Sequence, residues 1–309
     1  IPGLDQVDYL DNKGILSLEE LPNHLIVVGG SYVGLEFSQI FRRFGSRVTV
    51  LERGPRIMRR EDEDIAAEAM RVLSEEGIDF VLNSEVERVT PEGGVTVEVT
   101  ADGGKRSITG SHLLLATGRV PETDALNLAA AGVETDGRGF IAVNEFLQTS
   151  APHIYAVGDV NGGSAFTHTS VHDGQVIVKN LKGEQWRRSD RIPVYSMFID
   201  PPLGRVGMSE EEARKSGKAV LMGTMPMTSI ARAREKDETA GLVKVLVDAE
   251  SGVLLGAAVF GTGGDEVINL LAAWMYTGLP YTALQKAVLV HPTVSELIPY
   301  VFESLKPLE

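Results

Sequence analysis

The residue types and spacings best suited to chemistry begin with Gly29, Gly30, Ser31 and Gly34 and continue with Glu52. In a GxGxxG turn the first glycine makes a tight bend, the second lets backbone approach a pyrophosphate, and the third lets helix and strand pack closely. Here those positions are Gly29, Ser31 and Gly34. Ser31 is small and its hydroxyl can donate to a phosphate, so the site is expected to survive the change. Glu52 stands where a carboxylate accepts hydrogen bonds from an adenosine ribose and repels a 2′-phosphate, which favours NAD(H) over NADP(H). Arg53 beside it works against that preference.

Three further signals lie downstream. Asp159 follows a short apolar run and Gly158, where a carboxylate can hold a sugar or ribityl hydroxyl or simply cap the next helix. His168 and His172 are four apart, a spacing that suits either a metal or the polar start of a helix; without a convincing third ligand the second reading is preferred. His291 and Glu296 flank a turn in HPTVSE, so the carboxylate can orient the imidazole for acid–base work, or the histidine is an ordinary surface residue.

The elements that must position these residues follow from periodicity. Leu25–Val28 is an unbroken apolar run, the mark of a strand buried on both faces of a parallel sheet. A helix with Val33, Leu35, Phe37, Ile40, Phe41 and Phe44 as its apolar surface comes next, stopped by Gly45, and Val48–Leu51 starts the second strand. A second helix carries Ile65, Ala69, Met70 and Leu73 and ends at Gly77; strands are expected at Asp79–Leu82, Leu113–Ala116 and Ile154–Val157. Val86–Thr109 alternates with paired glycines and reads as an antiparallel meander. A helix is expected to begin near Thr169 or Ser170. KGEQWRRSDR, from Lys182 to Arg191, reads as an interdomain linker. Beyond it lie five strand candidates, a helix capped by Ser209, a longer helix from Glu266 to Thr277, and a last helix bearing Leu297, Ile298, Val301 and Phe302.

A chain of 309 residues with 43% hydrophobic content can hold two or three domains. Its net charge of −14 disfavours nucleic acid and anionic membrane as partners. No cysteine is present, which excludes disulfides, thiolate metal sites and cysteine nucleophiles from this chain. No apolar run reaches bilayer length and no charged-then-apolar leader is visible, so a soluble, cytoplasmic protein is expected. Ile1 is not a natural start, and the chain is read as a fragment.

Taken in order, GGSYVGLE, ATGR, YAVGD and HPTVSE resemble the motifs of the flavoprotein disulfide reductases, the family of dihydrolipoamide dehydrogenase, glutathione reductase and mercuric reductase. The resemblance covers essentially the whole chain. It implies an α/β fold with a Rossmann-type dinucleotide-binding domain over residues 1–115, the C-terminal part of an FAD-binding domain over 116–185, and an α+β dimerisation domain over 190–309. By the same resemblance Gly29, Ser31, Gly34, Glu52, Val86 and Gly118 contact the nicotinamide dinucleotide and Glu36 lies near the nicotinamide. Asp159 holds FAD, and the segment from His168 to Gly174 starts a helix facing the flavin pyrimidine edge. His291 and Glu296 become an acid–base pair reaching the other subunit of a homodimer.

The implied cofactors are therefore FAD and NAD(P)H, with NADH favoured, and the implied activity is hydride transfer through flavin to a disulfide, thiol or metal acceptor. The family's first FAD-binding glycine turn and redox cysteine pair precede the nucleotide domain and are not in this chain, so tight FAD binding and thiol chemistry are not expected of it alone. FTHTSVHDG, YSMFIDPPLGRVGMSEEEA and SIARAREKDETAG look closest to a mercuric-reductase-like branch that includes enzymes of reactive-chlorine defence, although SLKPLE lacks the C-terminal cysteine pair of mercuric reductases. Two alternatives stand beside this reading: dihydrolipoamide dehydrogenase itself, and a non-catalytic nucleotide-binding and dimerisation fragment.

Overall fold

The computed structural model describes residues 1–309 and divides into two compact units, one formed by 1–117 with 196–309 and the other by 118–195. In the first unit, β1 (His24–Val28), α1 (Tyr32–Arg43), β2 (Arg47–Leu51), α2 (Glu63–Glu75) and β3 (Ile78–Val81) alternate, as strands buried on both faces require. β4 (Ser84–Thr90), β5 (Val95–Ala101) and β6 (Gly104–Gly110) form the expected antiparallel meander before β7 (His112–Leu115). The parallel sheet runs β3-β2-β1-β7.

The side-chain alternation of β1 shows how it is covered. Leu25 and Val27 join the cluster that holds Leu35, Phe41, Ile65 and Leu73 from the two helices. Ile26 and Val28 point the other way, into a cluster with Val89, Val97 and Val99 of the meander. Period-2 geometry thus places helices on one face and a small sheet on the other.

Helix α1 departs from the expected apolar face. Ile40 and Phe44 are exposed, whereas Ser38 and Gln39 are buried beside Gly34, Leu35 and Phe41. The buried face lies against the sheet and a neighbouring backbone segment, where small and hydrogen-bonding side chains fit better than bulky apolar ones.

The second part of this unit is built on a six-stranded antiparallel sheet ordered β13-β10-β11-β12-β9-β8. Its strands are β8 (Val194–Met197), β9 (Leu203–Gly207), β10 (Val220–Pro226), β11 (Leu242–Asp248), β12 (Leu254–Phe260) and β13 (Lys306–Pro307), and the unit boundary falls within β8. Met197, Ile199, Leu203 and Phe260 belong to the same core cluster as Leu25 and Leu35, so both parts of the unit share one core. Counting from the N-terminus, the 118–195 unit holds α3 (Thr167–Leu181), and α4 (Glu210–Lys215), α5 (Ala231–Glu235), α6 (Gly264–Thr277) and α7 (Tyr281–Leu284) lie in the first unit. Ser209 and Glu212 form the reciprocal cap expected at the start of α4.

Two local expectations fail. Ile154–Val157 is not a ladder strand: the segment makes one isolated bridge, Gln148 to Tyr155, because an extended run becomes a strand only where another lies alongside. Helix α3 begins at Thr167, with Phe166 as its cap residue, so Thr169 and Ser170 sit inside the first turn. The expected last helix is present as a 3-10 helix, Ser295–Ser304, which buries Ile298, Val301 and Phe302 and has Pro299 inside it. The charged segment 182–191, read as an interdomain linker, is held in place by hydrogen bonds. Asn180 exchanges two hydrogen bonds with the backbone of Trp186, and Arg191 is tied to Asp173.

Candidate nucleotide-binding and acid–base sites

The glycine turn is shaped by contacts that leave no space for side chains. Gly29 has φ +115, and a Cβ there would stand 2.5 Å from the Ala116 carbonyl oxygen. At Gly34 it would stand 2.0 Å from the carbonyl oxygen of Gly29, which is the close helix–strand approach that the third glycine position requires. Ser31 is the cap residue of α1, exposed, with its hydroxyl making no cap bond. The N-terminus of α1 therefore opens toward solvent over a turn of bare backbone, an arrangement suited to a phosphate.

Glu52, at the end of β2, folds back onto this turn. Its Oε2 accepts from Gly30 N at 2.9 Å and its Oε1 from Gly54 N at 2.7 Å. The carboxylate is thus fixed at the mouth of the site, with further lone pairs available to hydroxyl donors. Val86 lies on β4 of the meander, paired with Val99 and half-buried, and a register irregularity follows it.

Glu36 is in the second turn of α1. Its Oε1 accepts from Phe198 N at 2.7 Å, and burial raises its pKa above the ordinary carboxylate value despite that hydrogen bond. Gln39, one turn further, accepts from Asp200 N and donates to Asp200 O, both at 2.7 Å, and Arg43 pairs with the Asp200 carboxylate at 2.6 Å. Glu36, Gln39 and Arg43 form one stripe at i, i+3 and i+7. Gln39 was not singled out in the sequence; its polar spacing with Glu36 and Arg43 is the signal that could have found it.

A buried ionic cluster lies at the start of α2. Arg205 grips Asp62 with two bonds, at 2.9 and 3.1 Å, and Lys244 contacts Asp62, Asp64 and Glu210. Tyr32, the first residue of α1, donates from its hydroxyl to Glu61, which neighbours Arg205. Burial alone would raise the pKa of Asp62, but Arg205 and Lys244 outweigh it and hold the carboxyl below its usual range. Lys244 is likewise disfavoured by burial and held above its ordinary value by its carboxylate partners. Asp62, Asp64 and Glu210 converge closely enough to resemble a cation site, and the Lys244 ammonium is the cation they hold.

In the 118–195 unit, Asp159 sits in a short 3-10 turn and pairs with Arg119 at 2.7 Å; both are largely exposed, so this pair adds little stability. Gly118 has open space around its Cα. The preceding turn residue is held by a residue that sequence spacing did not reveal as important. Asp173 is buried, and it accepts from Gly158 N at 3.0 Å, Asn161 Nδ2 at 2.9 Å and Arg191 Nη1 at 3.0 Å. At the start of α3, His168 donates from Nε2 to the Val194 carbonyl at 2.7 Å and stacks on Phe166, which stacks on Tyr195. His172 packs near Trp186, and burial, with Arg191 nearby, lowers its pKa.

His291 and Glu296 do meet. Nδ1 stands 2.9 and 3.1 Å from the two carboxylate oxygens, while Thr293 and Glu296 bond reciprocally through Thr293 N and Glu296 N. The imidazole is 72% exposed and the carboxylate 12%, so a rooted acceptor orients a ring whose Nε2 faces outward. Just before it, Val288 is wholly exposed and Val290 largely so.

Comparison with known proteins places the chain in a family. A pyridine nucleotide-disulphide oxidoreductase model matches residues 1–174, and the dimerisation-domain model of the same family matches 194–301. The chain belongs to the pyridine nucleotide-disulphide oxidoreductases, an FAD- and NAD(P)H-using family. Among relatives, the probable pyridine nucleotide-disulfide oxidoreductase RclA of Escherichia coli is 39% identical over 99% of this chain and 69% of its own length. A mercuric reductase of Bacillus cereus is 35% identical over 96% of the chain, which spans 47% of that protein. The solved structure of RclA, titled an HOCl-induced flavoprotein disulfide reductase, superposes with a TM-score of 0.90 at 38% identity, covering 98% of this chain and 70% of that one.

Proposed function

We propose that this chain is the electron-entry and dimerisation portion of an RclA-like flavoprotein oxidoreductase that takes hydride from NADH and delivers electrons to a disulfide, thiol or metal acceptor in the cytoplasm. The observation that carries the reading is the presence, in one chain, of a tightly packed glycine turn closed by Glu52 and an exposed His291 held by Glu296. Ser31 and the first turn of α1 would receive the pyrophosphate over Gly29 and Gly30, whose own N–H groups are taken by Leu51 O and Glu52, with Glu52 at the adenosine ribose and Glu36 at the nicotinamide end. The residues that would face FAD are Asp159 and the start of α3, whose dipole favours an anionic ring edge. A bound flavin would supply the two-electron relay between nucleotide and acceptor. His291 would then move a proton at Nε2 while Glu296 keeps its Nδ1–H in place.

A second copy of the chain is the partner proposed for the exposed apolar stretch at Val288 and Val290 beside His291. A Cu(II) complex of RclA has been solved, which supports a metal ion among the acceptors to be tried. The test is to purify the natural protein carrying this chain and assay NADH oxidation with disulfide, Cu(II) and Hg(II) acceptors. Robust NAD⁺ reduction by dihydrolipoamide would replace this reading with the dihydrolipoamide dehydrogenase alternative. A colourless protein that does not oxidise NADH would establish the non-catalytic one.

A further inference from the structure

Resting on the proposed course of the dinucleotide along α1, we infer that Phe198 is an aromatic wall of the nicotinamide end of the site and that Gln39 is the positioning residue that holds it. Helix α1 advances 1.5 Å per residue, so Glu36 lies about 7.5 Å beyond Ser31, within reach of the far half of a dinucleotide bound at the turn. Phe198 is joined to that carboxylate through its own backbone N–H.

The ring is placed outward by construction. Met197 and Ile199 on either side are 0% and 2% exposed and belong to the core, whereas Phe198 is 68% exposed. Isolated exposed apolar side chains are ordinary on protein surfaces. What distinguishes this one is the fixing of its backbone: Glu36 holds its N–H, and Gln39 takes both the N–H and the carbonyl of Asp200. Gln39 is itself buried and also donates to Glu76, so its amide cannot turn away without leaving buried groups unpaired. Glu36 Oε2 has no hydrogen-bond partner within the chain. A flat apolar ring carried on backbone that Glu36 holds, with the second oxygen of that carboxylate open to a donor, complements a planar ring bearing a carboxamide: the faces stack and the amide N–H donates.

The test compares binding of NADH with that of ADP-ribose, which has the same adenosine and pyrophosphate but no nicotinamide. Phe198→Ala is expected to weaken NADH by roughly tenfold, the scale of one lost aromatic stacking contact, and to leave ADP-ribose within about twofold. Phe198→Tyr should keep the wild-type preference. Gln39→Ala should show the same selective loss as Phe198→Ala and less change in reduced-nicotinamide fluorescence on binding. Equal weakening of both ligands by Gln39→Ala would make it a merely structural residue and overturn its assignment. An unchanged NADH affinity in Phe198→Ala, or equal loss of both ligands, overturns the assignment of the ring. Failure of the wild-type chain to bind either compound would overturn the underlying nucleotide-site reading and this inference with it.

Discussion

Replacing Gly34 by alanine sets two effects of opposite sign against each other. Gly34 lies in the second half of the first turn of α1, and in a helix alanine is favoured over glycine by about 1 kcal/mol. Against that, the new Cβ would stand 2.0 Å from the Gly29 carbonyl oxygen and 3.3 Å from Val27 Cγ1. The nearest atom is backbone within the glycine turn, so the helix must retreat by about 1 Å, and overpacking of this kind costs about 1–3 kcal/mol. Since the clash cannot be relieved by a side-chain rotation, its cost should exceed the propensity gain. A net loss of up to about 2 kcal/mol is expected from these two terms. Because the retreat moves the α1 amides off the turn, NADH affinity should fall by at least about tenfold, the penalty for misplacing a preorganised anion site. Gly174→Ala is the internal control. That glycine also lies within a helix, α3, but no atom lies within 4 Å of its added Cβ, so the same change should be neutral or stabilising by up to about 1 kcal/mol. Thermal unfolding and NADH titration of both variants provide the measurement. A Gly34→Ala protein as stable as wild type with unimpaired NADH binding would refute the packing argument.

Other outcomes follow from the same geometry. Lys244→Met leaves Asp62, Asp64 and Glu210 without their shared ammonium, and chemical denaturation should show a loss of about 3–5 kcal/mol, as for other broken buried ion pairs; an unchanged midpoint would contradict this. His24 donates from Nδ1 to Thr109 O and is held below its ordinary pKa of 6.5, chiefly by burial. The unfolded chain therefore binds more protons just below pH 6.5, so stability should decline as pH falls through that range, and His24→Gln should flatten the slope. Removing the negative charge in Glu52→Gln should raise NADPH affinity relative to NADH; tighter binding of NADPH than NADH by the wild-type chain would show that Arg53, and not Glu52, governs the choice.

How much of this was legible in sequence depended on how local each interaction is. β1, α1 and β2 were readable because an apolar run, a glycine turn and a helical period follow one another without interruption. The Ser209 cap and the His291–Glu296 pair were readable because their partners are three and five residues apart. The buried side of α1 was misjudged, since counting apolar residues favours Ile40 and Phe44 over Ser38 and Gln39. Only the position of the 198–200 backbone reveals why glutamine is buried there. Ile154–Val157 has the composition of a buried strand, yet strand formation depends on neighbours that composition does not supply. Asp173 with Gly158, and Arg205 with Asp62, join residues 15 and 143 apart, and neither pairing carries a local spacing signal.

The most direct test of the nucleotide site is calorimetric titration of the chain with NADH beside the variant Ser31→Glu. Ser31 is exposed and its hydroxyl makes no cap bond, so the substitution leaves the fold undisturbed while placing a carboxylate where the pyrophosphate should lie. Saturable binding of one NADH per wild-type chain is expected, with loss of that binding in Ser31→Glu and an unchanged unfolding temperature. Equal affinity in both proteins, or no saturable binding by the wild type, would contradict it.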